Sequence, residues 1–445
     1  MLRTFLAAAL LAAPALAQEP LALEEAARIA LESHPALEAA SAGVDEASAR
    51  VRAAQSGYLP KLSWQESYTR SNNPVFAFGS LLNQRRFTES NFAIQSLNNP
   101  SSIQNFQSLL RVEQTVWDAN RTKNAIRAAR LQEELSREQR RGGEADVLLG
   151  VVRTYFGAVV AAEGLKVAET SVESARADRE RAQSMFDSGM TTQAGVLAVQ
   201  AHLAELEQNR IQAAGDAEIA QSALADALGL DLDVRRTLAT PLSAAPRPAG
   251  TLEEFLARAR ENRADLKLAA LGVDLAEAGI DQAKSNRLPM VIAQGALEAD
   301  RARFVDQGGG NWLAGAALRW DLWRGGETRA KLDAARAAEH RAAALRRRAV
   351  SGVELEVRKA WTDFDSATER LKVADAAVSQ AQESLRIVRD RHEAGLETVT
   401  ELLRSQTALI GAQFRRLGAL YDQRIARAAL DHAAGVLSLT SEALQ

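Results

Sequence analysis

The same helix reversal occurs twice in this chain, and it restricts the possible folds more than any other feature. The stretches SMFDSGMTTQAGVL and DRHEAGLETVTELL each place a glycine after a helical pattern, then a threonine, then a second apolar run. Gly189 and Gly395 are 206 residues apart, and so are Thr192 and Thr398 (395 − 189 = 398 − 192 = 206). A turn that recurs at constant spacing indicates two copies of one structural unit.

Longer matches extend this duplication to most of the chain. Residues 23–60 align with residues 252–289 at 16 of 38 positions, at an offset of 229, and residues 116–130 align with residues 322–336 at an offset of 206. The difference (229 − 206 = 23) is extra chain in the first copy. Three prolines in the sequence TPLSAAPRPAGT mark a linker between the copies. The predicted segments are a first repeat, a linker and a second repeat, at residues 18–240, 241–250 and 251–445.

Each copy is predicted to contain a very long helix and a shorter partner helix, joined by the glycine turn. Prolines are absent from residues 101–240 and 290–445, as expected where helices must not be interrupted. At about 1.5 Å per residue, a helix of about 69 residues is about 100 Å long, so it must pack beside others as a coiled coil. The four predicted helices cover about 119–187, 192–229, 326–392 and 398–438.

The residues around each turn give it a local explanation. Gly395 suits a left-handed position that ends a helix at little steric cost. The sequence from Thr398 to Glu401 then predicts a Thr-x-x-Glu capping box that starts the next helix. Gly189 and Thr192 are predicted to do the same without the glutamate.

Alternating patterns ahead of each long helix predict two strands per copy. In the stretch NWLAGAALRWDLW, one apolar face carries Trp312 and Trp320 at its two ends. Their separation corresponds to about 20 Å across a membrane once the strand tilts by about 40°, close to the apolar band of an outer-membrane barrel. Four strands per chain leave open edges, which lipid does not tolerate, so two, three or four chains must pool their strands. The alternative from the strands alone is a hairpin half-buried against a soluble core.

The first copy has a less regular apolar face and a longer connection between its strands. Leu62, Trp64 and Tyr68 share a face with the charged Glu66. The extra residues fall within 71–107, which is predicted to be an extracellular loop with a self-packed cap. Its apolar residues support a packed cap over a disordered insert; they are Phe76, Phe78, Leu81, Leu82, Phe87 and Phe92.

The N-terminus and the composition predict an exported protein and exclude several functions. Residues 1–17 have the positive start, short apolar stretch and small-residue cleavage site of a secretory signal peptide, and no transmembrane helix is expected after it. Cysteine is absent, which excludes disulfides and a lipid anchor on an N-terminal cysteine. A net charge of −3, evenly mixed in sign, does not favour nucleic-acid binding. Each histidine is isolated in a helical pattern, so no metal site, cofactor or enzymatic activity is predicted; the five are His34, His202, His340, His392 and His432.

Taken in order, these features resemble the TolC-like outer-membrane efflux proteins. They are the signal peptide, the tandem copies, the Leu-Pro before the first strand of each copy, and the tip glycines with a following Leu-x-x-x-Gln. The resemblance covers residues 20–440. It implies a mostly α fold with a membrane β-barrel: long antiparallel coiled-coil helices form an α-barrel, continuous with a β-barrel that takes four strands from each of three chains.

The resemblance also implies roles for particular residues. Many family members narrow the entrance with an aspartate pair beyond the second tip glycine, and Glu401 and Arg404 stand there in this chain. The predicted pore constriction is Glu401, Arg404 and Glu397. The tips are predicted to dock a periplasmic adaptor through Gly189, Met190, Thr191, Thr192, Gly395, Leu396 and Thr398. Trp312 and Trp320 are predicted to form the membrane girdle.

The function implied is an exit duct in the outer membrane of a Gram-negative bacterium, with a large periplasmic part. The expected partners are two further copies of the chain, a periplasmic adaptor protein, an inner-membrane transporter and outer-membrane lipid. The substrate, whether drug, metal or protein, is left open by the sequence. The alternative is a soluble periplasmic coiled-coil scaffold or adaptor, which would share the helices and the signal peptide but not the outward tryptophans.

Overall fold

The computed structural model describes residues 20–444 and is mostly helical, so the predicted signal peptide at residues 1–17 lies outside the described residues. The helices are α1 Leu23–Ser33, α2 Pro35–Gln55, α3 Pro74–Asn83, α4 Ile94–Asn98, α5 Arg121–Asp187, α6 Gln193–Ala227, α7 Leu252–Asn262, α8 Ala264–Ser285, α9 Glu327–Glu393 and α10 Val399–Ala433. The strands are β1 Lys61–Ser71, β2 Ile103–Trp117, β3 Met290–Arg301 and β4 Gly309–Arg319.

The two long helical hairpins have equal helix lengths. Helices α5 and α9 have 67 residues each, and α6 and α10 have 35 residues each. Corresponding helices begin and end 206 residues apart, as the positions of the glycine turns predicted. Helix α10 ends at Ala433 and not near residue 438, because Gly435 adopts a left-handed φ of 70° and the Val436 N–H donates to the Asp431 carbonyl at 2.9 Å.

The four strands form one open antiparallel sheet in the order β1-β2-β3-β4. Pairing runs from Lys61 opposite Glu113 to Ser71 opposite Ile103, and a bulge between Thr115 and Trp117 interrupts the second ladder. Strands β1 and β4 are therefore the sheet edges within one chain. An exposed ladder of unpaired N–H and C=O groups is a template for another strand.

The described residues form two compact units, and each unit takes segments from both halves of the chain. One unit, called the helical unit here, comprises the residues up to Ser41, Gln139–Leu266 and the residues from Ala349 onward. The other, the sheet unit, comprises Ala42–Glu138 and Lys267–Arg348.

The core of the helical unit contains both ends of the described chain. Side chains of α5 are fully buried there together with Leu23 of α1 and with Leu444. The buried α5 side chains are Val151, Val152, Tyr155 and Phe156. Helix α5 also contains an 18-residue window long and apolar enough to cross a membrane by length and composition. Of this window, 44% is buried, and a single window of this kind is weak evidence for a membrane span.

The chain between the two hairpins is fixed to this core. The Leu21 N–H donates to the Thr237 carbonyl at 2.7 Å, and the Ala239 N–H donates to the Leu21 carbonyl at 2.9 Å. The Tyr155 hydroxyl donates to the Leu21 carbonyl at 2.7 Å and accepts from the Thr240 N–H at 2.9 Å. Because these donors and acceptors are largely buried, their pairing is needed for the fold.

The predicted linker is held by α10. Gln423 is buried and exchanges two hydrogen bonds with the backbone of Ala245, at 2.7 and 3.0 Å. The Arg424 guanidinium donates to the carbonyl and the hydroxyl of Ser243, each at 2.7 Å. The linker is thus bound to α10 at Ser243 and Ala245.

Candidate functional site

The strand register places most of the large exposed apolar side chains of the four strands, including Trp64 and Trp312, on one face of the sheet. Trp64 pairs with Leu110, Leu110 with Leu297, and Leu297 with Trp312, which makes one row across the sheet. Trp64 is 67% exposed and Trp312 is 77% exposed. The opposite face is mostly polar. It carries Ser63, Gln65, Ser67, Gln107, Gln294, Glu298 and Asn311, with the apolar Leu109, Ile292 and Leu313 among them. A sheet with one exposed apolar face and one polar face has the pattern of an outer-membrane barrel wall.

The other girdle residue lies beyond the strand. Strand β4 ends at Arg319, so Trp320 follows the last strand residue, and the prediction that it closes the same strand was wrong by one position. The chain then turns into α9 through Gly325 and Gly326, which both have positive φ. Trp320 remains exposed, and its indole N–H donates to the Arg287 carbonyl at 3.1 Å.

The charged residue on the apolar face of the first repeat, Glu66, forms an ion pair with a residue of the second repeat in the same chain. Glu66 on β1 pairs with Arg301 on β3 at 2.7 Å, and the Ser108 hydroxyl donates to the same carboxylate. Tyr68 and Phe106 lie beside this pair in ring contact, with centroids 4.8 Å apart. A charge whose partners are in place is far less costly on an apolar face than a lone charge.

Both hairpin turns close in the same way. At the first turn, the Gly189 N–H donates to Phe186 O at 2.9 Å and the Met190 N–H donates to Met185 O at 2.8 Å. At the second turn, the corresponding bonds of Gly395 and Leu396 measure 3.0 and 2.9 Å. The φ angles of the two glycines are 74° and 71°. This pair of bonds is the Schellman motif, and it explains why glycine occupies both positions.

The threonines cap the returning helices, as the sequence predicted. The Thr192 hydroxyl accepts from the Gly195 N–H at 3.2 Å, and the Thr398 hydroxyl accepts from the Glu401 N–H at 3.3 Å. The second half of the predicted capping box is different. The Glu401 carboxylate accepts from the Arg404 guanidinium at 2.8 Å, because the arginine lies one turn along the same face.

The predicted constriction residues are therefore engaged in ion pairs within the chain. Glu401 pairs with Arg404, and both side chains are substantially exposed. Glu397 pairs with Arg391 at 3.4 Å, while the Glu397 carbonyl lies 3.0 Å from Nδ1 of His392. Surface ion pairs of this kind contribute little to stability, so these charges can serve a role other than stabilising the fold.

The predicted docking residues include exposed apolar side chains. Met190 is 69% exposed and Leu396 is 70% exposed, each directly after its tip glycine. Thr191, Thr192 and Thr398 surround them. Apolar side chains at exposed turns are available to a partner.

Sequence reasoning missed two connections that hold the helices together near the turns. The Gln406 amide on α10 donates to the buried Asp178 carboxylate on α5 at 2.5 Å. Arg181 on α5 pairs with Glu393 on α9 at 3.2 Å. The repeated Leu-x-x-x-Gln singled out Gln406, but its partner lies 228 residues away and follows no periodic signal.

Among residues 20–444, no group of three or more His, Cys, Asp or Glu side chains is placed to hold a metal ion. His432 lies 2.8 Å from Asp146 and 3.8 Å from Glu356, which makes it part of a polar cluster on the helical unit.

Comparisons with known proteins agree with this arrangement. The profile of the outer membrane efflux protein family matches residues 26–230 and 255–436. Protein CyaE of Bordetella pertussis is 27% identical over 95% of this chain and 86% of its own length. The alkaline protease secretion protein AprF of Pseudomonas aeruginosa is 24% identical over 75% of this chain and 70% of its own length. The CmeC outer membrane channel of Campylobacter jejuni has a similar fold, with a TM-score of 0.78, 17% identity, and coverage of 94% of this chain and 87% of that chain.

Proposed function

This chain belongs to the outer membrane efflux protein family, and we propose that it works as a homotrimer whose twelve strands close one barrel. The protein is an outer-membrane exit duct for efflux or secretion, with a large periplasmic helical part. The trimer would place three copies of each helical hairpin around one passage. Residues 18–240 and 251–445 would be structural repeats joined by residues 241–250.

The observation that carries strand pooling between copies is the open, two-faced sheet, and the number of three copies is taken from the family resemblance. Among residues 20–444, the outer edges of β1 and β4 are unpaired, and unpaired backbone groups cost several kcal/mol each in lipid. Closing the edges between copies removes this cost. It also turns every apolar face toward lipid and every polar face toward the passage.

The proposed partners follow from the tips. An adaptor hairpin would pack against the exposed Met190 and Leu396, and an inner-membrane transporter would deliver the cargo. Inside the mouth, three copies of Glu401 and Arg404 would line the constriction, with Glu397 beside them.

Fractionation and a detergent gel test this proposal. The protein should remain with outer membranes, and the unheated sample should migrate as a trimer that heating converts to monomer. Release with the periplasmic fraction, or a monomer before heating, would contradict it.

The facing of the sheet has a sharper test. Ala316 lies on the apolar face and Ala317 on the polar face of β4. Ala316→Arg should cost about 2–4 kcal/mol and impair membrane insertion, because the charge meets lipid near the midplane. Ala317→Arg is the matched control and should insert normally. Equal damage from both changes would rule out the proposed facing.

A further inference from the structure

The extra residues of the first copy fold onto the polar face of the sheet. The segment Pro74–Asn98, called the outer cap here, begins with α3, and α3 packs against β2, β3 and β4. Asn73 caps α3, accepting from the N–H groups of Val75 and Phe76 at 3.0 and 3.1 Å. Ala77 and Ser80 of α3 are buried. The cap is therefore a folded element with a defined position on the sheet.

A chain of hydrogen bonds fixes the cap to the sheet. The Gln84 amide donates to the Asn105 side chain at 2.8 Å, and the Asn105 amide donates to Asp300 at 2.5 Å. All three side chains are buried, and Asp300 is fully so. Asn105 and Asp300 belong to the polar face, as the strand register requires.

Gly309 allows α3 to approach strand β4 closely. A Cβ at Gly309 on β4 would lie only 1.7 Å from the Asn83 carbonyl oxygen. No other residue type fits there while α3 keeps its place. The cap also packs on itself, since the ring of Phe87 lies 4.8 Å from Phe78 and 5.1 Å from Phe92 in edge contacts.

The corresponding connection of the second copy behaves differently. Only residues 302–308 join β3 to β4, and Phe304 among them contacts Phe106 with centroids 5.9 Å apart. Phe106 belongs to the apolar face. The short connection thus leans toward the apolar side, whereas the outer cap covers the polar side.

We propose that the outer cap is the narrowest part of the outer exit and sets the largest cargo that leaves the duct. This inference rests on the proposed trimer, in which the polar face lines the passage. Three caps would then extend into the exit from three sides. Each is held by buried hydrogen bonds, so the restriction is a fixed part of the wall.

Removing the cap tests the proposal in planar bilayers. The variant replaces residues 72–102 with a seven-residue Gly/Ser connection, the length of the second-copy connection. Removal of the cap should widen the outer exit, whereas single-channel conductance stays limited by the proposed constriction of Glu401 and Arg404 in series with it. Larger polyethylene glycols should therefore enter from the outer side. Unchanged polymer exclusion from the outer side would overturn the proposal.

Point variants cover the case in which the deletion does not fold. Gln84→Ala with Asn105→Ala removes the hydrogen bonds that seat the cap but retains every strand. This double variant should admit larger polyethylene glycols from the outer side than the wild type does. Gln65→Ala, exposed on the same polar face of β1, is the matched control and should behave as wild type. Equal behaviour of the double variant and the control would count against the proposal.

The absence of native cysteine permits a direct probe of position. Val75→Cys, at an 81% exposed position of the cap, should react with a bulky thiol reagent added from outside, and conductance should fall. Val305→Cys lies in the short connection and should react with little effect. Equal block at both positions would place the restriction elsewhere.

The same recordings distinguish the two proposals. Wild-type protein that forms heat-sensitive trimers and pores, with polymer exclusion from the outer side unchanged in every cap variant, would contradict only the role of the cap. Wild-type protein that forms neither would contradict the duct itself and the cap with it.

Discussion

The helical hairpin α5–α6 and the helical hairpin α9–α10 have the same backbone but different buried charges. Their helices have equal lengths, equal glycine turns and equal threonine caps. The second hairpin contains a buried ion pair between Arg427 and Asp431, where the first has Gln221 and Ala225, 206 residues earlier. Gly195 likewise stands where the second copy has Glu401. The shape of a hairpin and its charges are therefore specified by different residues.

The buried ion pair should give the largest difference between the hairpins. Arg427→Met leaves Asp431 buried without its cation and should cost about 3–5 kcal/mol. Gln221→Met, at the matching position, loses hydrogen bonds to the backbone of Arg236 and should cost about 1 kcal/mol. The heating midpoint of the detergent-resistant trimer measures both. Equal shifts would show that the pair does not distinguish the two hairpins.

The cost of replacing a glycine at a helix end should depend on where it lies in the hairpin and not on which repeat it belongs to. Gly229 and Gly435 end the shorter helices with φ near 70°, and an added Cβ would meet backbone atoms at 2.5 and 2.9 Å. Gly189 and Gly395 have similar φ but nothing within 4 Å of a Cβ.

Alanine at either tip glycine should therefore cost only the left-handed strain, about 1–2 kcal/mol. Alanine at Gly229 or Gly435 should cost more, because the backbone must also move. The same heating measurement ranks the four variants. A copy-by-copy ranking, with both glycines of one hairpin more sensitive, would contradict this expectation.

The two repeated glutamines, Gln200 and Gln406, should contribute unequally to stability. Gln406→Ala leaves the buried Asp178 without the amide and should cost about 1–3 kcal/mol. Gln200 is exposed, and Gln200→Ala should change stability by less than about 0.5 kcal/mol. Conductance provides a second measure, since the bond joins α5 to α10 near the turn. Loss of stability from both variants would mean that Gln200 has a partner in the assembled protein.

Acid should stabilise the second hairpin through Asp431. Burial raises the pKa of this carboxyl above its ordinary value, and this effect outweighs the opposing influence of Arg427. A carboxyl with a raised folded-state pKa contributes stability that is complete below the unfolded pKa of about 4 and is lost as the pH rises through the folded pKa.

Wild type should therefore gain trimer stability relative to Asp431→Asn as the pH falls from 7 toward 4. Ala225, the residue of the first hairpin that corresponds to Asp431, has no titratable side chain. Parallel pH profiles of wild type and variant would refute the prediction.

The charges at the mouth should give the smallest effect. Glu401→Gln removes a carboxylate from the proposed constriction and should weaken cation selectivity in a bilayer, while Arg404→Gln should strengthen it. Trimer stability should stay within about 0.5 kcal/mol, because the exposed pair contributes little. If neither variant alters selectivity while both remain trimeric, the constriction lies elsewhere on the inner helices.

The sequence predicted the backbone well because local residues determine it. The helix bounds follow from nearby sequence, because each signal affects only the few residues around it. These signals are the proline-free stretches, the glycines at the helix ends and the threonine caps. Alternation along each strand likewise predicted both faces of the sheet. The missed end of α10 carried its own signal, since Gly435 repeats Gly229 at the offset of 206.

The sequence did not predict the connections between distant segments. Glu66 and Arg301 are 235 residues apart, and Glu66 alone looked like a defect of the apolar face. The same holds for Asp178 with Gln406. The cap was expected as a packed extracellular loop, but its seat depends on Gln84 meeting Asn105 and Asp300, which only the folded sheet brings together. Such pairs depend on tertiary structure and leave no periodic trace.

The hydrogen bonds of Leu21 have a consequence for the order in which this chain matures. Leu21 bonds to Thr237 and Ala239, and the same core contains Leu444. During export the first of these residues emerges long before its partners. The core cannot be completed before Leu444 has crossed the inner membrane. Completion of this core is therefore a late step of export.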